Sequence, residues 1–306
     1  MRIAYFGTPA DAVPPLRAVV DAGHDVALVV TQPDRRRGRG AALVPSPVKA
    51  AAIELGLEVR TPARALEVVD ELRARELDAG VVVAFGQLLP PAVLETARHG
   101  FVNLHFSLLP RWRGAAPVER AILAGDTETG VCVMALDEGM DTGPVYACVP
   151  TPIDPDETAG ELAARLVALG TPLLVDVLAD LPTRQPRPQH GEPTHAAKVT
   201  VEEFRLDWSR PAAELARQVM AGNPRPGAWT TVDGRRLKVL RARVAGPGPS
   251  HAPGPRPLPG IVDATGTVGT GDGSLRLVEV QPEGRPPMSV GAWLAGVRGG
   301  PPRLGS

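Results

Sequence analysis

Three polar residues of this chain have the functional groups that acyl transfer to an amine requires. Asn103 and His105 share the short segment Asn103-Leu104-His105, and Asp141 begins Asp141-Thr142-Gly143. When an amine attacks an acyl carbon, negative charge develops on the carbonyl oxygen, and preorganised hydrogen-bond donors stabilise that charge. The amine must also lose a proton, which a carboxylate can accept. The three residue types therefore predict a site for acyl transfer.

The chemistry assigns each residue a role. The Asn103 amide and a protonated His105 ring would donate to the oxygen, each contributing about 3 kcal/mol when aligned. Asp141 would favour the charged ring, orient it and accept the proton directly or through water. Taken singly, His105 is more simply explained as a packed strand-end residue and Asp141 as a turn former. The long ordered pattern Asn-x-His-x-Ser-Leu-Leu-Pro-Arg-x-Arg-Gly, followed by Asp-Thr-Gly, favours the catalytic interpretation of both.

Short apolar runs rich in β-formers alternate with helical patterns through the first 180 residues. Predicted strands are 2–6, 25–30, 57–60, 79–85 and 101–105, and predicted helices are 10–22, 46–55, 65–76 and 90–98. This alternation predicts βαβ units and a mainly parallel sheet covered on both faces. Two strands, 131–136 and 145–152, and a helix over 158–179 follow, with Asp156 or Thr158 as the N-cap.

Ligands of such sheets bind beyond the carboxyl ends of the strands, near the switch point of strand order. Three segments end predicted strands: Gly7-Thr8-Pro9, Phe85-Gly86-Gln87 and Asn103 to His105. We therefore expect the site at this edge. The chain contains neither a GxGxxG loop after the first strand nor a GxxxxGK[ST] loop, so NAD and ATP are not expected.

The last third of the chain differs in composition. Residues 181–193 are rich in proline and aperiodic, which predicts a semi-rigid linker. A helix over 212–220 and short strands at 229–232, 237–244, 260–262 and 274–280 predict a small β-barrel, interrupted by a disordered loop over 246–259. Residues 194–306 carry 15 Lys and Arg against 9 Asp and Glu, whereas residues 1–193 carry 18 against 25. A basic domain is typical of a polyanion-binding surface, although a solvated arginine-rich surface explains it equally.

Other features exclude several classes of protein. Cys132 and Cys148 are the only cysteines and belong to no CxxC or His-flanked metal motif, so we expect buried strand thiols with no redox or zinc role and no metal site. The first strand ends at Gly7 without becoming a signal-peptide core, and we expect no apolar run of about 18 residues to span a membrane. A cytoplasmic monomer is therefore expected.

Motifs along almost the whole chain resemble those of the folate-dependent formyltransferases. The resemblance is carried by Phe6 to Pro9, Thr31 to Asp34, Pro45 to Lys49, Asn103 to Pro117, Asp141 to Gly143, Thr194 to Lys198 and Asp207 to Ser209. It implies formyl transfer from 10-formyltetrahydrofolate to the α-amino group of methionine on initiator tRNA, without a metal. It also implies that the residues matching Asn103, His105 and Asp141 are catalytic.

The resemblance further implies that Ser107, Leu108, Leu109 and Pro110 line the folate site. These residues offer an apolar wall with one hydroxyl, and the backbone around Phe85 to Leu89, which includes Leu88, can meet the polar edge of a flat heterocycle. The leucines are equally explained as core residues.

Arginine-glycine loops order on phosphate backbones, and residues 35–40 form one. A solvated charge run is the alternative. The resemblance implies that this loop enters the acceptor stem and that Arg39 is important. Arg36 and Arg37 add charge where the family more often has proline, and Lys198 is a further candidate phosphate contact.

The expected architecture has three parts: a Rossmann-like α/β formyltransferase domain over 1–180, a linker over 181–205, and an OB-like β-barrel that binds tRNA over 206–306. Alternative functions are a sugar-nucleotide N-formyltransferase, a hydrolase of the formyl donor, and a non-catalytic RNA-binding protein. The basic second domain favours RNA, and the presence of all three catalytic residue types favours an enzyme.

Overall fold

The computed structural model describes residues 1–37, 42–245, 258–298 and 300–305. Arg39 and residues 246–257 of the predicted loop lie outside this range. Close contacts divide the chain into two compact units. The first comprises Met1–Pro117, Glu128–Pro152 and Ala163–Ala196, and the second comprises Val118–Thr127, Ile153–Leu162 and Ala197–Ser306.

The predicted strands and helices of the first 180 residues are present with shifted ends. The strands are β1 (Arg2–Gly7), β2 (Asp25–Val30), β3 (Arg35–Arg37), β4 (Ala42–Val44), β5 (Val59–Arg60), β6 (Ala79–Val83), β7 (Phe101–His105), β8 (Arg113–Gly114), β9 (Glu128–Ala135), β10 (Val145–Pro152) and β11 (His195–Ala196). The helices are α1 (Val13–Asp21), α2 (Pro47–Glu54), α3 (Val69–Ala74), α4 (Pro91–Leu94), α5 (Pro117–Ala124) and α6 (Ala159–Asp180), with 3-10 turns at Ala10–Ala12 and Ala65–Val68. Of these elements, β3, β4, β8, α5 and β11 were not predicted.

The main sheet of the first unit has the order β10-β9-β7-β6-β1-β2-β5. Neighbours from β7 to β5 are parallel, while β9 runs antiparallel to both β7 and β10. The prediction of a mainly parallel sheet is confirmed. From β1 the chain builds outward through β2 and β5, then returns to β6 on the other side, so the switch point lies between β1 and β6.

Local sequence signals account for the helix ends. The Ser46 hydroxyl accepts from the Lys49 N–H at 3.0 Å and caps α2, in which Pro47 occupies the first position. Thr158 and Glu161 cap α6 reciprocally, with the Thr158 N–H 2.8 Å from the Glu161 carboxylate and the Glu161 N–H 3.2 Å from the Thr158 hydroxyl. Thr158, one of the two predicted N-caps, is confirmed. Helix α4 is shorter than predicted, and the Thr96 hydroxyl donates back to the Val93 carbonyl where it ends.

Three buried phenylalanines pack against the sheet beneath the carboxyl ends of β1 and β6. The Phe6 ring centroid lies 5.2 Å from that of Phe85 and 5.6 Å from that of Phe101, both in edge-on arrangements. Such pairs contribute about 0.5–1.5 kcal/mol beyond area burial. A Cβ at Gly80 would lie 2.1 Å from the Phe101 ring, so only glycine leaves room for it. This packing joins the carboxyl end of β1 and the segment after β6 to the start of β7.

Helix α6 corrects the expectation that no segment is apolar enough to span a membrane. By length and composition it passes that test, with 39% of its most apolar window buried. A Cβ at Gly170 would lie 2.7 Å from Val131 and 2.9 Å from Leu104, so this part of α6 packs closely on β9 and β7. Core helices and membrane spans share this composition, and composition alone does not separate them.

The cysteine prediction is wrong in one respect. Cys132 is buried as expected, but its sulfur forms a disulfide with Cys148. The two residues are direct partners across β9 and β10, with their Cα atoms 4.1 Å apart. A separation of 16 residues in sequence does not reveal this register, because the register depends on how the two strands pair.

The second unit is built on an antiparallel sheet, as expected for the β-rich second domain, and it contains the helix predicted over 212–220. Its elements are a 3-10 turn (Glu202–Phe204), α7 (Ala212–Gly222), β12 (Ala228–Val232), β13 (Arg235–Val244), β14 (Thr267–Gly269), β15 (Ser274–Pro282), β16 (Met288–Ser289) and α8 (Val290–Ala295). The order is β12-β13-β15-β14, and β16 pairs with β15. The strand predicted at 260–262 is reduced to isolated bridges. Closure into a barrel stays a prediction.

Much of the predicted linker makes specific backbone contacts within the first unit. Arg187 and Val145 exchange backbone hydrogen bonds of 2.7 and 2.8 Å, and β11 pairs in parallel with β8. Residues up to Ala196 group with the first unit, and those from Ala197 group with the second. Proline content indicated a stiff extended segment, but it does not reveal which backbone groups that segment meets. The boundaries 1–180, 181–205 and 206–306 stay a prediction.

Candidate active site

A cavity of about 390 Å³ lies in the first unit at the carboxyl ends of β6 and β7. Its wall includes residues that follow β6, the end of β7 and the loop after β9. These are Val82, Ala84 to Leu89, Leu94, Asn103 to Phe106, Gly114, Ala115, Pro117, Leu136, Asp137 and Gly139 to Asp141. Asn103, His105 and Asp141 all line it. The sequence placed the site at this edge of the sheet, and the structure brings the three predicted catalytic residues together there.

Asn103 and Asp141 are in direct contact. The Asn103 side-chain amide donates to Oδ1 of Asp141 at 3.3 Å. The other carboxylate oxygen, Oδ2, accepts from the backbone N–H of Gly114 at 2.8 Å. Hydrogen bonds to an ionised acceptor are shorter and stronger than neutral ones, and these two hold the Asp141 side chain in position.

The imidazole of His105 is held by a backbone carbonyl on the side of the ring that faces away from Asp141. Its Nε2 lies 3.0 Å from the Trp112 carbonyl oxygen, and its Nδ1 lies 3.7 Å from Oδ2 of Asp141. Because a carbonyl can only accept, Nε2 must carry a proton. The neutral ring therefore presents a lone pair at Nδ1 toward Asp141, and the protonated ring presents an N–H there. The side chains of His105 and Asp141 are only 6% and 14% exposed, so water screens this pair weakly.

The Asp-Thr-Gly segment holds Asp141 in a disfavoured backbone conformation, with φ at 52°. Such a conformation costs on the order of 1–3 kcal/mol unless the surroundings impose it. The Thr142 hydroxyl donates to Asp137 at 2.6 Å and closes the loop. A Cβ at Gly143 would lie 2.0 Å from the Ala135 carbonyl oxygen, so this approach to β9 requires glycine. Each residue of the Asp141-Thr142-Gly143 motif thus has a structural role of its own.

The motifs nearer the N-terminus support the cavity wall. The Thr8 hydroxyl and the Gln32 amide both donate to the Phe85 carbonyl, at 3.0 and 3.3 Å. The Lys49 ammonium pairs with Asp34 at 2.7 Å. The two bonds to Phe85 hold the backbone after β6, where Gly86 has a positive φ of 84°. Thr8 and Gln32 therefore support the cavity wall through the loop after β6.

The predicted folate residues fall in different places. Leu88 lines the cavity and is 65% exposed. The buried Ser107 hydroxyl donates to the Arg111 carbonyl at 2.6 Å, and Leu108 packs on β9, where a Cβ at Gly130 would lie 2.5 Å from it. Among the described residues that line the cavity, none belongs to the Ser107 to Pro110 stretch, which also includes Leu109. Folate contact by these residues stays a prediction.

The predicted tRNA residues are spread over both units. Arg36 and Arg37 lie on β3, paired with Leu43 and Ala42 of β4 in an antiparallel ribbon. Lys198 is exposed in the second unit, and its carbonyl accepts from Arg120 at 3.4 Å. Contact of these residues with tRNA stays a prediction, as it does for Arg39.

Sequence reasoning missed three contributors to the site. The Trp112 carbonyl and the Gly114 N–H are backbone groups within a quoted motif, where no side-chain type signals their role. Gln189 lies in the predicted linker, and its amide donates to the Asp141 and Gly143 carbonyls at 2.9 and 2.8 Å. Among the described residues, no cluster of three or more His, Cys, Asp or Glu side chains is arranged to hold a metal ion.

Comparisons with known proteins agree with this geometry. A formyl transferase family model matches residues 1–178, and a model of the formyl transferase C-terminal domain matches residues 198–298. The methionyl-tRNA formyltransferase of Rhizorhabdus wittichii is 47% identical over 300 residues, which is 97% of this chain and 95% of that protein. The methionyl-tRNA formyltransferase of Thermus thermophilus is 48% identical over 302 residues, covering 97% and 96% of the two chains.

Solved structures show the same fold. An N-formyltransferase from Helicobacter canadensis, solved with folinic acid and dTDP-3-aminofucose, is similar over 92% of this chain and 98% of its own, with a TM-score of 0.68 and 16% identity. A phosphoribosylglycinamide formyltransferase from Bacillus halodurans is similar over 60% of this chain and 96% of its own, with a TM-score of 0.51 and 27% identity. The chain therefore belongs to the formyl transferase family and, within it, to the methionyl-tRNA formyltransferases.

Proposed function

We propose that this protein transfers the formyl group of 10-formyltetrahydrofolate to the α-amino group of methionyl initiator tRNA. One observation carries the proposal: the Asp141 carboxylate lies on the cavity wall, 3.3 Å from the Asn103 amide and 3.7 Å from the His105 ring. These are the oxyanion donors and the base that amine formylation needs. The family supplies the identity of the two substrates.

In the proposed mechanism the amine nitrogen forms a bond to the formyl carbon while the carbonyl electron pair moves onto oxygen. Asn103 stabilises this oxygen with its second amide hydrogen, since the first is directed to Asp141. His105 contributes the Nδ1–H of its protonated ring, because Nε2–H is held by the Trp112 carbonyl. Asp141 accepts the proton that the attacking amine loses, directly or through water.

Collapse of the tetrahedral intermediate breaks the bond between the formyl carbon and N10 of the folate. The carbonyl re-forms, and N10 leaves with a proton, which His105 or Asp141 returns through the same hydrogen bonds. The products are tetrahydrofolate and formylmethionyl-tRNA. No proton or electron pair is left over, so the step needs no further reactant.

The cavity suits a flat heterocycle with a polar edge. Its volume of about 390 Å³ is within the usual range for small-molecule sites. Phe85 and Leu104 contribute apolar wall, and the backbone turns at Gly86, which also lines the cavity. We assign the folate contacts to Leu88 and, from the family resemblance, to Ser107, Leu108, Leu109 and Pro110.

For the tRNA we assign contacts to Arg36, Arg37, Arg39 and Lys198. In this proposal residues 1–180 are the catalytic domain, 181–205 connect it to the second domain, and 206–306 hold the tRNA body. The excess of basic residues after position 193 supports this division, since phosphate contacts supply most of the sequence-independent affinity. We further propose that the enzyme acts as a monomer in the cytoplasm, where translation begins.

The decisive assay incubates purified protein and 10-formyltetrahydrofolate with methionyl initiator tRNA, with a dTDP-linked amino sugar, or with no acceptor. We expect formyl transfer only to the methionyl-tRNA, and none to uncharged tRNA, which lacks the amine. Transfer to the sugar alone would identify a sugar-nucleotide enzyme. Equal release of formate with and without acceptor would identify a hydrolase. Binding of the tRNA without formyl transfer to any acceptor would identify a non-catalytic RNA-binding protein and contradict the proposal.

A further inference from the structure

We propose that Gln189 and Thr194 are positioning residues of the reaction. They belong to the strap, which we define as residues 187–196, and they hold the segments that carry Asp141 and the partner of His105. The proposal rests on the proposed function, because it concerns the geometry of the same three catalytic groups. It assigns a positioning role to a stretch whose proline content predicted only a linker.

Gln189 connects the Asp141 loop to Arg113. Its Nε2 donates to the Asp141 carbonyl at 2.9 Å and to the Gly143 carbonyl at 2.8 Å. Its Oε1 accepts from Nε and Nη2 of Arg113 at 3.1 and 2.7 Å. Carbonyls only accept and a guanidinium only donates, so a primary amide satisfies all four bonds in a single orientation. Glutamate, which has the same shape, has no donor for the two carbonyls.

Thr194 holds the other side of the site. Its hydroxyl accepts from the Trp112 N–H at 2.8 Å, and its carbonyl accepts from the Arg113 N–H at 2.9 Å. Trp112 has a positive φ of 62°, and its carbonyl is the partner of His105 Nε2. Thr194 thus fixes the peptide that orients the imidazole.

Both ends of the strap are anchored by backbone pairing. Arg187 bridges to Val145 of β10, and His195 and Ala196 pair with β8. A Cβ at Gly114 would lie 2.8 Å from the Ala196 carbonyl oxygen, so β8 and the strap approach closely. Gln189 and Thr194 are therefore presented to the two catalytic segments from one fixed piece of chain.

Backbone conformation explains why such support is needed. Asp141 and Trp112 both have positive φ values, which non-glycine residues leave when nothing holds them. Without Gln189 the Asp141 loop can relax, and the carboxylate then leaves Asn103 and His105. A displacement of about 1 Å at a catalytic group costs ~100-fold in rate. We expect turnover to fall ~10- to 100-fold, with the KM values for folate donor and tRNA changing less than ~3-fold, because neither residue touches the reactants.

Four variants of the full chain test the proposal: Gln189→Ala, Gln189→Glu, Thr194→Val and Thr194→Ser. We expect the first three to lose turnover, whereas Thr194→Ser keeps the hydroxyl and retains at least about half of the wild-type rate. Glu192→Gln, an exposed change within the strap, is the matched control. A loss of turnover in Thr194→Ser equal to that in Thr194→Val would overturn the role of the hydroxyl. Wild-type turnover in Gln189→Glu would overturn the role of the amide.

A second measurement is independent of activity. The Gly114 N–H is bonded to Asp141 Oδ2, so its hydrogen exchange reports directly on the position of the carboxylate. We expect Gln189→Ala and Gln189→Glu to speed this exchange at least ~10-fold while amides of the β1–β6 core stay unchanged. Thr194→Val should change the ¹⁵N shift of His105 Nε2, and Thr194→Ser should not. If Gly114 exchange and the His105 shift are the same in these variants as in the wild type, the positioning role of the strap is overturned, even if the wild type is an active formyltransferase. If the exchange and the shift change but the wild type is inactive, the positioning role of the strap is supported and the proposed function is contradicted.

Discussion

Nδ1 of His105 and Oδ2 of Asp141 lie 3.7 Å apart, although the two residues belong to different segments of the chain. The separation is longer than a hydrogen bond and short enough for strong electrostatic coupling in a site that is mostly shielded from water. Each member is fixed separately, His105 by the Trp112 carbonyl and Asp141 by the Gly114 N–H. The pair is therefore preorganised by these two backbone groups, so we expect substitutions that remove or displace either partner to lower turnover.

Asp141→Asn tests the proposed base. The carboxylate accepts from Asn103 through one oxygen and from Gly114 through the other, whereas asparagine has a single oxygen and no negative charge. We expect turnover to fall at least ~100-fold, measured as the initial rate of formyl transfer to methionyl-tRNA. Asn103→Ala should have an effect of similar size, because it removes one oxyanion donor. Glu138→Gln, an exposed carboxylate in the same loop, is the control and should retain normal turnover.

His105→Ala removes the second donor and leaves the Trp112 carbonyl without its partner. We expect at least ~100-fold slower turnover with only a modest loss of stability, measured by kinetics and thermal unfolding together. His99 lies between α4 and the start of β7, at the amino ends of the strands and away from the cavity. His99→Ala is therefore the matched histidine control. Near-normal turnover in the His105 variant would exclude this ring from the chemistry.

Gly143→Ala tests the close approach of the Asp141 loop to β9. Its Cβ would lie 2.0 Å from the Ala135 carbonyl oxygen, so the loop must move and carry Asp141 with it. We expect turnover to fall ~10-fold or more and the melting temperature to drop by several degrees, about 1–3 kcal/mol in unfolding free energy. Gly291→Ala in α8, where a Cβ meets nothing within 4 Å, should be neutral or slightly stabilising. Equal behaviour of the two variants would show that the contact does not constrain the loop.

Salt dependence tests the tRNA assignment. Counterion release requires the affinity for methionyl-tRNA to fall steeply between about 50 and 200 mM salt. Arg36→Ala, Arg37→Ala, Arg39→Ala and Lys198→Ala should each lower the slope of log K against log salt by about 0.7–0.9 where a phosphate contact is lost. Arg17→Ala removes an exposed arginine that pairs with Glu54 and should leave the slope unchanged. A flat salt response of the wild type would contradict this binding mode.

Asp263 makes the stability of the second unit depend on pH. Burial alone would raise the pKa of this carboxyl, but hydrogen bonds from Thr265 and Thr267 outweigh burial and hold the pKa below its usual 3.8. The unfolded chain therefore binds the proton more tightly, so the stabilisation is present above pH 3.8 and is lost as the pH falls through the folded-state value. We expect Asp263→Asn to cost about 1 kcal/mol near neutral pH, and the difference from wild type to shrink on acidification. Denaturant unfolding at several pH values checks this, with the exposed Asp272→Asn as control.

Much of the fold follows from patterns that act over short stretches. The alternation of apolar runs and helical periods predicted a mainly parallel sheet, and Thr158 was one of the two residues predicted to cap α6. The same reasoning missed six strands of two or three residues, because such short strands contain too few residues for periodicity to register. They are β3, β4, β8, β11, β14 and β16. It also left the Cys132–Cys148 disulfide unseen, since strand register is a property of pairing.

By itself the sequence predicted which side chains carry the groups that this chemistry needs, because only certain residue types can donate to an oxyanion or accept a proton. Asn103, His105 and Asp141 were identified on that ground, and their placement at a sheet edge followed from the strand pattern. Only the tertiary structure decided what orients them. The groups that do so include the Trp112 carbonyl and the Gly114 N–H. Every residue type except proline has both groups, so their contribution depends on where the folded chain places them and leaves no trace in residue identity.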